Sequence, residues 1–285
     1  MIKKIINLLL YSNLWIAGCA LAMALQTQWL LVQKVVLTDL YWFILFSTLA
    51  LYALHRLTGL ARLKAFSDKG RYWVIARFRN HIILYALASA VIGAWFFFRL
   101  EFQLQVHFAF TGIISLGYVL PVLGSGKRLR DIHFLKIFLI AITWSWVTVV
   151  LPALEAGVQW NIWLILLVVE RAVFLFAITL PFDIRDHQID AHTGVKTIPG
   201  YIGMAATKKL SIICLLIAVM LATLNIGHVY QLSGFSGLFI AIFLTAVLIW
   251  KADRTRHDYF FTGALDGSMI LQFLLVWMMG YWGGR

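Results

Sequence analysis

The chain has few charged residues, few cysteines and few prolines. Only 13% of its 285 residues are charged, about half the ~25% that is typical of soluble domains. Two cysteines, Cys19 and Cys214, exclude a disulfide-stabilised scaffold, and four prolines exclude a collagen-like or proline-rich disordered chain. In contrast, 62% of the residues are hydrophobic. A soluble domain of this size could not bury so much apolar surface, so the composition predicts a polytopic membrane protein.

Nine apolar runs are long enough to cross a bilayer, which takes roughly 20 residues in a helix. Backbone groups in lipid must be paired internally, and the pattern does not alternate as barrel strands do. We therefore predict an all-α polytopic membrane protein, with one transmembrane domain over residues 1–285. The nine predicted spans are about 8–30, 35–55, 81–99, 103–123, 134–153, 160–182, 208–228, 234–251 and 260–282.

The basic residues fall mostly on one side of these spans. The net charge of +12 could suggest nucleic acid, but the lysines and arginines lie between apolar runs rather than on a polar surface, so we expect no nucleic-acid partner. With nine spans, twenty of the 24 lysines and arginines share one side, which the positive-inside rule places in the cytoplasm. We expect the N-terminus inside, the C-terminus outside, and membrane lipids around the bundle.

The most informative stretch is acidic. Asp183, Asp186 and Asp190 have the spacing i, i+3, i+7, which places them within about 60° of one helix face. Carboxylates stacked in this way repel each other unless a cation lies among them. Mg²⁺ is typically bound by one or two carboxylates together with substrate phosphates. The stretch therefore predicts a site for Mg²⁺ and a diphosphate where the sixth span meets the cytoplasm.

The residues that follow extend the motif. Residues 191–199 read Ala-His-Thr-Gly-Val-Lys-Thr-Ile-Pro, with a turn glycine, Lys196 and Pro199. Together, residues 181–199 resemble the second aspartate motif of the UbiA-type intramembrane prenyltransferases. The chain also resembles that family in its nine spans, in its two large inner loops (about 56–80 and 183–207), and in Tyr118 ahead of Lys127, Arg128 and Arg130.

The resemblance implies a helical bundle around a central cavity under a cytoplasmic cap. It implies transfer of an isoprenyl group from an isoprenyl diphosphate to a lipophilic, often aromatic, acceptor. Asp183, Asp186 and Asp190 would be catalytic and bind Mg²⁺, and Tyr118 would line the cavity. Four basic residues outside the second span would bind the diphosphate: Lys127, Arg128, Arg130 and Lys196.

The chain departs from the family at the end of the second span. The family's first aspartate motif is missing, because residues 51–64 contain no Asp, Asn or Glu. His55, Arg56 and Arg62 lie there instead, and arginine can bind phosphate through two parallel hydrogen bonds. We expect these three residues to bind the diphosphate, with Arg56 replacing the first metal, so that one Mg²⁺ rather than two is needed.

Other interpretations remain open. The scaffold could carry different chemistry, such as terpene cyclisation, or no chemistry, or the chain could be a transporter or a lipid-binding membrane protein. Against transport, the spans lack the paired Gly/Pro-broken helices that mark midplane sites. Glu170, Arg171 and Asp266 lie inside predicted spans, where ionisable groups face a cavity or a partner. We favour structural pairing for them, with Asp266 as a candidate partner of Arg171.

Overall fold

Helices account for almost all of the ordered secondary structure. The computed structural model describes residues 9–10, 12–62, 77–192 and 194–283, with the backbone alone at 60–62 and 125. Within these residues the elements are α1 (Leu14–Val32), α2 (Asp39–Arg62), α3 (Arg79–Phe97), α4 (Phe102–Val119), α5 (Leu135–Glu155), α6 (Ile162–His192), α7 (Ile198–Ile202), α8 (Met204–Leu224), α9 (Leu232–Lys251) and α10 (Tyr259–Gly283).

The predicted class, an all-α polytopic membrane protein, is confirmed. In the described part of the chain, every long helix except α4 is both long and apolar enough to cross a membrane, which makes eight. The ninth, α4, has 18 residues and carries Gln103, Gln105 and His107 in its first two turns. The short α7 lies in the polar connection between α6 and α8. Thus each predicted span corresponds to one long helix.

Two helices contain a π-helical stretch, and a third is much longer than the sequence predicts. In α5 the stretch is Trp146–Val150, and in α10 it is Tyr259–Leu265. Helix α6 continues through Pro181 to His192 and carries the acidic cluster on its last three turns. The acidic cluster is therefore held on a rigid helix that projects beyond the apolar span, rather than on a loop.

Neighbouring helices form a bundle in which the first and last helices are in contact. Helix α1 packs against both α2 and α10, α6 packs against α5 and α8, and α9 packs against α10. The Cys19 thiol donates a hydrogen bond to the Asp266 backbone carbonyl at 3.2 Å, and Trp29 packs over Gly280. These two contacts show that α1 and α10 run in the same direction, as the first and ninth spans must.

A buried polar cluster fixes α6 within the bundle. The Tyr230 hydroxyl donates to Glu170 Oε2 at 2.8 Å, and Arg171 Nη1 donates to the Met23 carbonyl at 2.9 Å. The prediction that Asp266 pairs with Arg171 is wrong, because no ion pair joins them among the described residues and Arg171 points towards α1 instead. The two adjacent side chains anchor two different faces of α6, which positions the helix end that carries the aspartates.

The orientation of the bundle can be tested with reporter fusions. We expect a fusion after Leu123 to lie in the cytoplasm, because basic residues follow it directly. Fusions after Ala156 and Arg285 should lie outside, because the basic residues cluster at the opposite ends of α5 and α10. A protein that fluoresces only when folded in the cytoplasm and a phosphatase active only outside it give complementary signals. Fluorescence from the Arg285 fusion would contradict the odd number of spans.

Candidate functional site

A cavity of about 600 Å³ lies at one end of the bundle, between the ends of α2, α4 and α6 and the beginnings of α5 and α10. We call it the charged cavity, because its lining carries many ionisable side chains. The basic ones are His55, Arg56, Lys127, Arg128, Arg130, His133, Lys136 and Arg185, and the acidic ones are Asp131, Asp183, Asp186, Asp190, Asp258 and Asp266.

Lys136 lies between two of the predicted aspartates. Its ammonium group is 2.7 Å from Asp183 Oδ1 and 2.8 Å from Asp190 Oδ2, and all three side chains are buried. Asp183 and Asp190 are seven residues apart on α6, so their side chains lie on the same face, as the spacing predicts. Sequence reasoning missed Lys136, because its partner aspartates come from another helix.

Asp186 has a different partner. Arg185 binds both of its oxygens, with Nε at 2.8 Å and Nη2 at 3.1 Å, and Arg185 Nη1 lies 3.6 Å from Asp258 Oδ1. The same guanidinium packs over the rings of Phe182 and Phe261. The three aspartates are therefore divided between two basic side chains, and no three acidic, His or Cys side chains of the described residues are grouped as metal ligands.

Arg130 lies across the cavity from the aspartates. Its Nη1 donates a hydrogen bond to His55 Nε2, and its guanidinium lies 5.2 Å from the centre of the Tyr118 ring. Burial opposes its charge, but Tyr118 and the carboxylates of Asp190 and Asp186 raise the pKa of Arg130 above its usual value. Arg130 is therefore a permanently charged group inside the cavity, positioned by two residues of the second and fourth helices.

The other predicted phosphate-binding residues differ in how far their donors are already bonded within the protein. Arg128 is held by Asp131 through several hydrogen bonds, the shortest at 2.8 Å, whereas Lys127 is exposed at the rim of the charged cavity. Arg56 lines the cavity and donates from Nη2 to the Leu10 carbonyl at 3.0 Å. Each of them can turn a donor towards an anion in the cavity.

One predicted residue, Lys196, does not line the charged cavity. The Lys196 side chain is exposed and is not part of the lining, and its backbone N–H donates to His133 Nδ1 at 3.1 Å. Gly194 has a φ of +73°, which turns the chain back after α6 and directs Lys196 outwards. The Arg62 side chain lies outside the described part of the structure.

A second cavity of about 540 Å³ adjoins the first. We call it the apolar arm, because its lining from α2, α3, α4 and α5 is almost entirely apolar. Its rim includes Leu87 and Leu116, which are 62% and 45% exposed on the lipid-facing side of α3 and α4. The two cavities meet at a neck, which we define as the residues lining both: Leu51, Tyr52, Ser115, Thr143 and Trp144.

The arrangement suits an amphiphilic anion. The charged cavity offers basic donors to an anionic head, and the apolar arm offers an apolar channel that reaches the lipid phase. The carboxylates also fit one Mg²⁺ ion shared with phosphate, because Mg²⁺ uses one or two protein carboxylates and fills its remaining positions with phosphate or water oxygens. Lys136 contacts Oδ1 of Asp183 and Oδ2 of Asp190.

Comparisons with known proteins identify the fold. Neither a family model nor a curated protein matches the chain. A UbiA homologue from Archaeoglobus fulgidus bound to DMAPP and Mg²⁺ has a TM-score of 0.63 at 12% identity, covering 96% of this chain and 99% of that one. The homologue bound to GPP and Mg²⁺ gives 0.63 at 13% identity, covering 97% and 99%.

A third solved structure is similar to this chain over nearly its whole length. Digeranylgeranylglyceryl phosphate synthase in membranes has a TM-score of 0.56 at 9% identity, covering 98% of this chain and 99% of that chain. At such low identities the likeness establishes the fold. The chain therefore has the UbiA-type fold over nearly its whole length, and the fold that the motif resemblance implied is confirmed.

Proposed function

We propose that this chain, which has the UbiA-type fold, is an intramembrane prenyltransferase. It moves an isoprenyl group from an isoprenyl diphosphate to a lipophilic, commonly aromatic, acceptor. The observation that carries the proposal is the junction of the charged cavity and the apolar arm at one neck. The similar structures bound to DMAPP and GPP with Mg²⁺ support the same substrate class.

The diphosphate binds to the basic residues of the charged cavity. Arg130 is the central anchor, because it is charged, lines the cavity and is held by His55 and Tyr118. Arg56, Arg128 and Lys127 add donors around it. Hydrogen bonds between guanidinium groups and phosphate are charge-assisted and are roughly twice as strong as neutral ones. These residues compensate for the missing first aspartate motif, and arginine takes the place of the first metal.

Asp183, Asp186 and Asp190 would hold one Mg²⁺ together with diphosphate oxygens. When bound, this ion would stabilise the negative charge on the leaving diphosphate. Lys136 contributes a fixed positive charge between Asp183 and Asp190. It limits the mutual repulsion of the two carboxylates, so that they keep their positions on α6 whether or not the ion is present.

The isoprenyl chain lies in the apolar arm. Its first carbon is then at the neck, where the Tyr52 and Trp144 rings pack edge to face with centres 6.3 Å apart. Aromatic faces attract positive charge, and the apolar lining excludes water, which would otherwise capture the reactive isoprenyl fragment. Tyr118 lines the charged cavity beside these residues.

A second candidate function is binding of a prenyl diphosphate without transfer. The fixed cation at Lys136, placed between two carboxylates that the resemblance assigns to a metal, favours this alternative. It differs from the first in one measurable respect. A transferase releases diphosphate and forms a prenylated product, whereas a lipid-binding protein returns the prenyl diphosphate unchanged.

Binding of geranyl diphosphate tests the proposed function. The purified protein should bind it at least about 100-fold more tightly than inorganic diphosphate, because the ten-carbon chain enters the apolar arm. Mg²⁺ should strengthen the binding, and Asp186→Asn should remove that increase. Asp253→Asn, which changes an exposed carboxylate outside the cavity, is the matched control. Titration calorimetry in detergent or nanodiscs measures all of these affinities.

The outcomes separate the candidates. No binding of geranyl diphosphate by the wild-type protein would overturn the proposed function. Equal binding with and without Mg²⁺ would contradict the metal site. Incubating membranes that contain the protein with radiolabelled geranyl diphosphate then distinguishes transfer, which yields labelled product and free diphosphate, from binding alone.

A further inference from the structure

Asp266 is a cavity-lining carboxylate that the proposed function has not used. It begins the regular α-helical part of α10, directly after the π-helical stretch Tyr259–Leu265. Single-turn π segments re-aim the residues that follow them and are frequent at functional sites. It lines the charged cavity from the last helix, and the same lining includes Arg130, in the connection between α4 and α5, and Lys136, at the beginning of α5.

Its carboxylate differs from the other acids of the cavity in having no bonded partner. Asp131, Asp183, Asp186 and Asp190 each form an ion pair with a lysine or arginine. Within the described residues, no hydrogen bond or ion pair reaches the Asp266 carboxylate. Its hydrogen bonds are made by the backbone: the carbonyl accepts from the Cys19 thiol, and the N–H donates to the carbonyls of Gly263 and Phe261. An unpaired carboxylate inside a membrane bundle is costly and is retained where it has a function.

Asp266 lines the charged cavity close to the neck. Its charge interacts with Tyr52, a neck residue, and with Arg185 and Arg56. A prenyl diphosphate with its head on Arg130 and its chain in the apolar arm has its first carbon at this neck. Among the described acids that line the charged cavity, the carboxylate without a bonded cation thus lies close to the carbon that becomes positive when the diphosphate leaves.

We propose that Asp266 is a catalytic residue that faces the first prenyl carbon. The inference rests on the proposed function. As the bond between this carbon and the diphosphate oxygen breaks, the electron pair leaves with the diphosphate, and Asp266 stabilises the positive charge left on carbon. The acceptor then donates an electron pair to that carbon, forming the new bond, and its displaced proton passes to the Asp266 carboxylate. The acceptor is therefore a neutral group that carries a proton.

A cationic analogue tests this role without knowledge of the acceptor. Geranylammonium carries a positive charge on the nitrogen bonded to the first prenyl carbon, and inorganic diphosphate can occupy the head site beside it. With diphosphate present, Asp266→Asn should weaken geranylammonium binding at least tenfold and leave geranyl diphosphate binding within about twofold. Asp258→Asn is the matched control, because Asp258 lines the same cavity but is paired with Arg185. It should change geranylammonium binding little.

Each outcome decides a different point. Suppose that the wild-type protein binds geranyl diphosphate and that Asp266→Asn leaves the geranylammonium affinity unchanged. This result would overturn the role of Asp266 and leave the proposed function intact. Absence of geranyl diphosphate binding in the wild type would overturn both. Retained geranyl diphosphate binding in Asp266→Asn shows that the variant is folded. If it is lost there, Asp266→Ser provides the same comparison, and loss in both variants, with the wild type binding, would show a structural role and overturn the proposal.

Discussion

Replacing Lys136 by methionine is expected to destabilise the protein and to make it dependent on Mg²⁺. Methionine matches the length of the lysine stem but removes the ammonium group that lies between Asp183 and Asp190. Breaking a buried ion pair by removing one partner typically costs about 3–5 kcal/mol, because the remaining charge stays buried without compensation. The expected result is a lower melting temperature in the absence of divalent cations.

Mg²⁺ should restore much of this loss, because a divalent ion can take the place of the ammonium between the two carboxylates. The melting temperature of Lys136→Met should therefore rise with Mg²⁺ concentration far more steeply than that of the wild type. Lys196→Met is the control, since Lys196 is exposed and does not line the charged cavity. If Lys136→Met melts like the wild type without Mg²⁺, the ammonium does not stabilise the aspartate pair.

The acidic face of α6 could be predicted from sequence because it depends only on helical periodicity. A spacing of three and seven residues places carboxylates on one face wherever the helix lies. The partner of Asp186 is also local, since Arg185 precedes it directly. Lys136, in contrast, is brought to the aspartates by the packing of α5 on α6. Its one sequence signal is that a lysine lies inside the predicted fifth span, where a charge needs a partner.

The predicted spans and the long helices agree because hydropathy governs both. The π-helical stretches of α5 and α10 could not be predicted, since they follow from how neighbouring helices pack and leave no compositional signal. The same limit explains Asp266. The sequence identifies it as an acid within a span, but only the tertiary structure places it in the lining of the charged cavity rather than beside Arg171.

The position of Arg130 relative to Arg56 could not be derived from sequence either. Both lie at the ends of predicted spans, and Arg56 is nearer to the place where the first aspartate motif is missing. In the folded protein the Arg130 guanidinium contacts His55 and Tyr118 inside the charged cavity, whereas Arg56 is bonded to the Leu10 carbonyl. Arg130 is therefore the better positioned of the two for a buried anion.

Replacing Arg130 by alanine is expected to cause the largest loss of geranyl diphosphate binding among the single basic-residue changes. A charge-assisted hydrogen bond contributes about 1.5–3 kcal/mol, which corresponds to roughly a 10- to 150-fold weaker affinity. Arg130→Lys should recover only part of it, because lysine keeps the charge but loses the planar pair of donors. Titration calorimetry with geranyl diphosphate measures each affinity.

Arg128→Ala provides the comparison, because Asp131 already holds that guanidinium through several hydrogen bonds and reduces its attraction for an anion. The loss of geranyl diphosphate affinity in Arg128→Ala should be smaller than that in Arg130→Ala. Arg56→Ala tests the expectation from sequence that Arg56 replaces the first metal. A larger loss in Arg56→Ala than in Arg130→Ala would make Arg56 the principal anchor and move the diphosphate towards α1 and α2. If Arg130→Ala weakens geranyl diphosphate binding by the expected factor and Arg56→Ala leaves it unchanged, the head group lies between α4 and α6. There the aspartates and Lys136 can reach it.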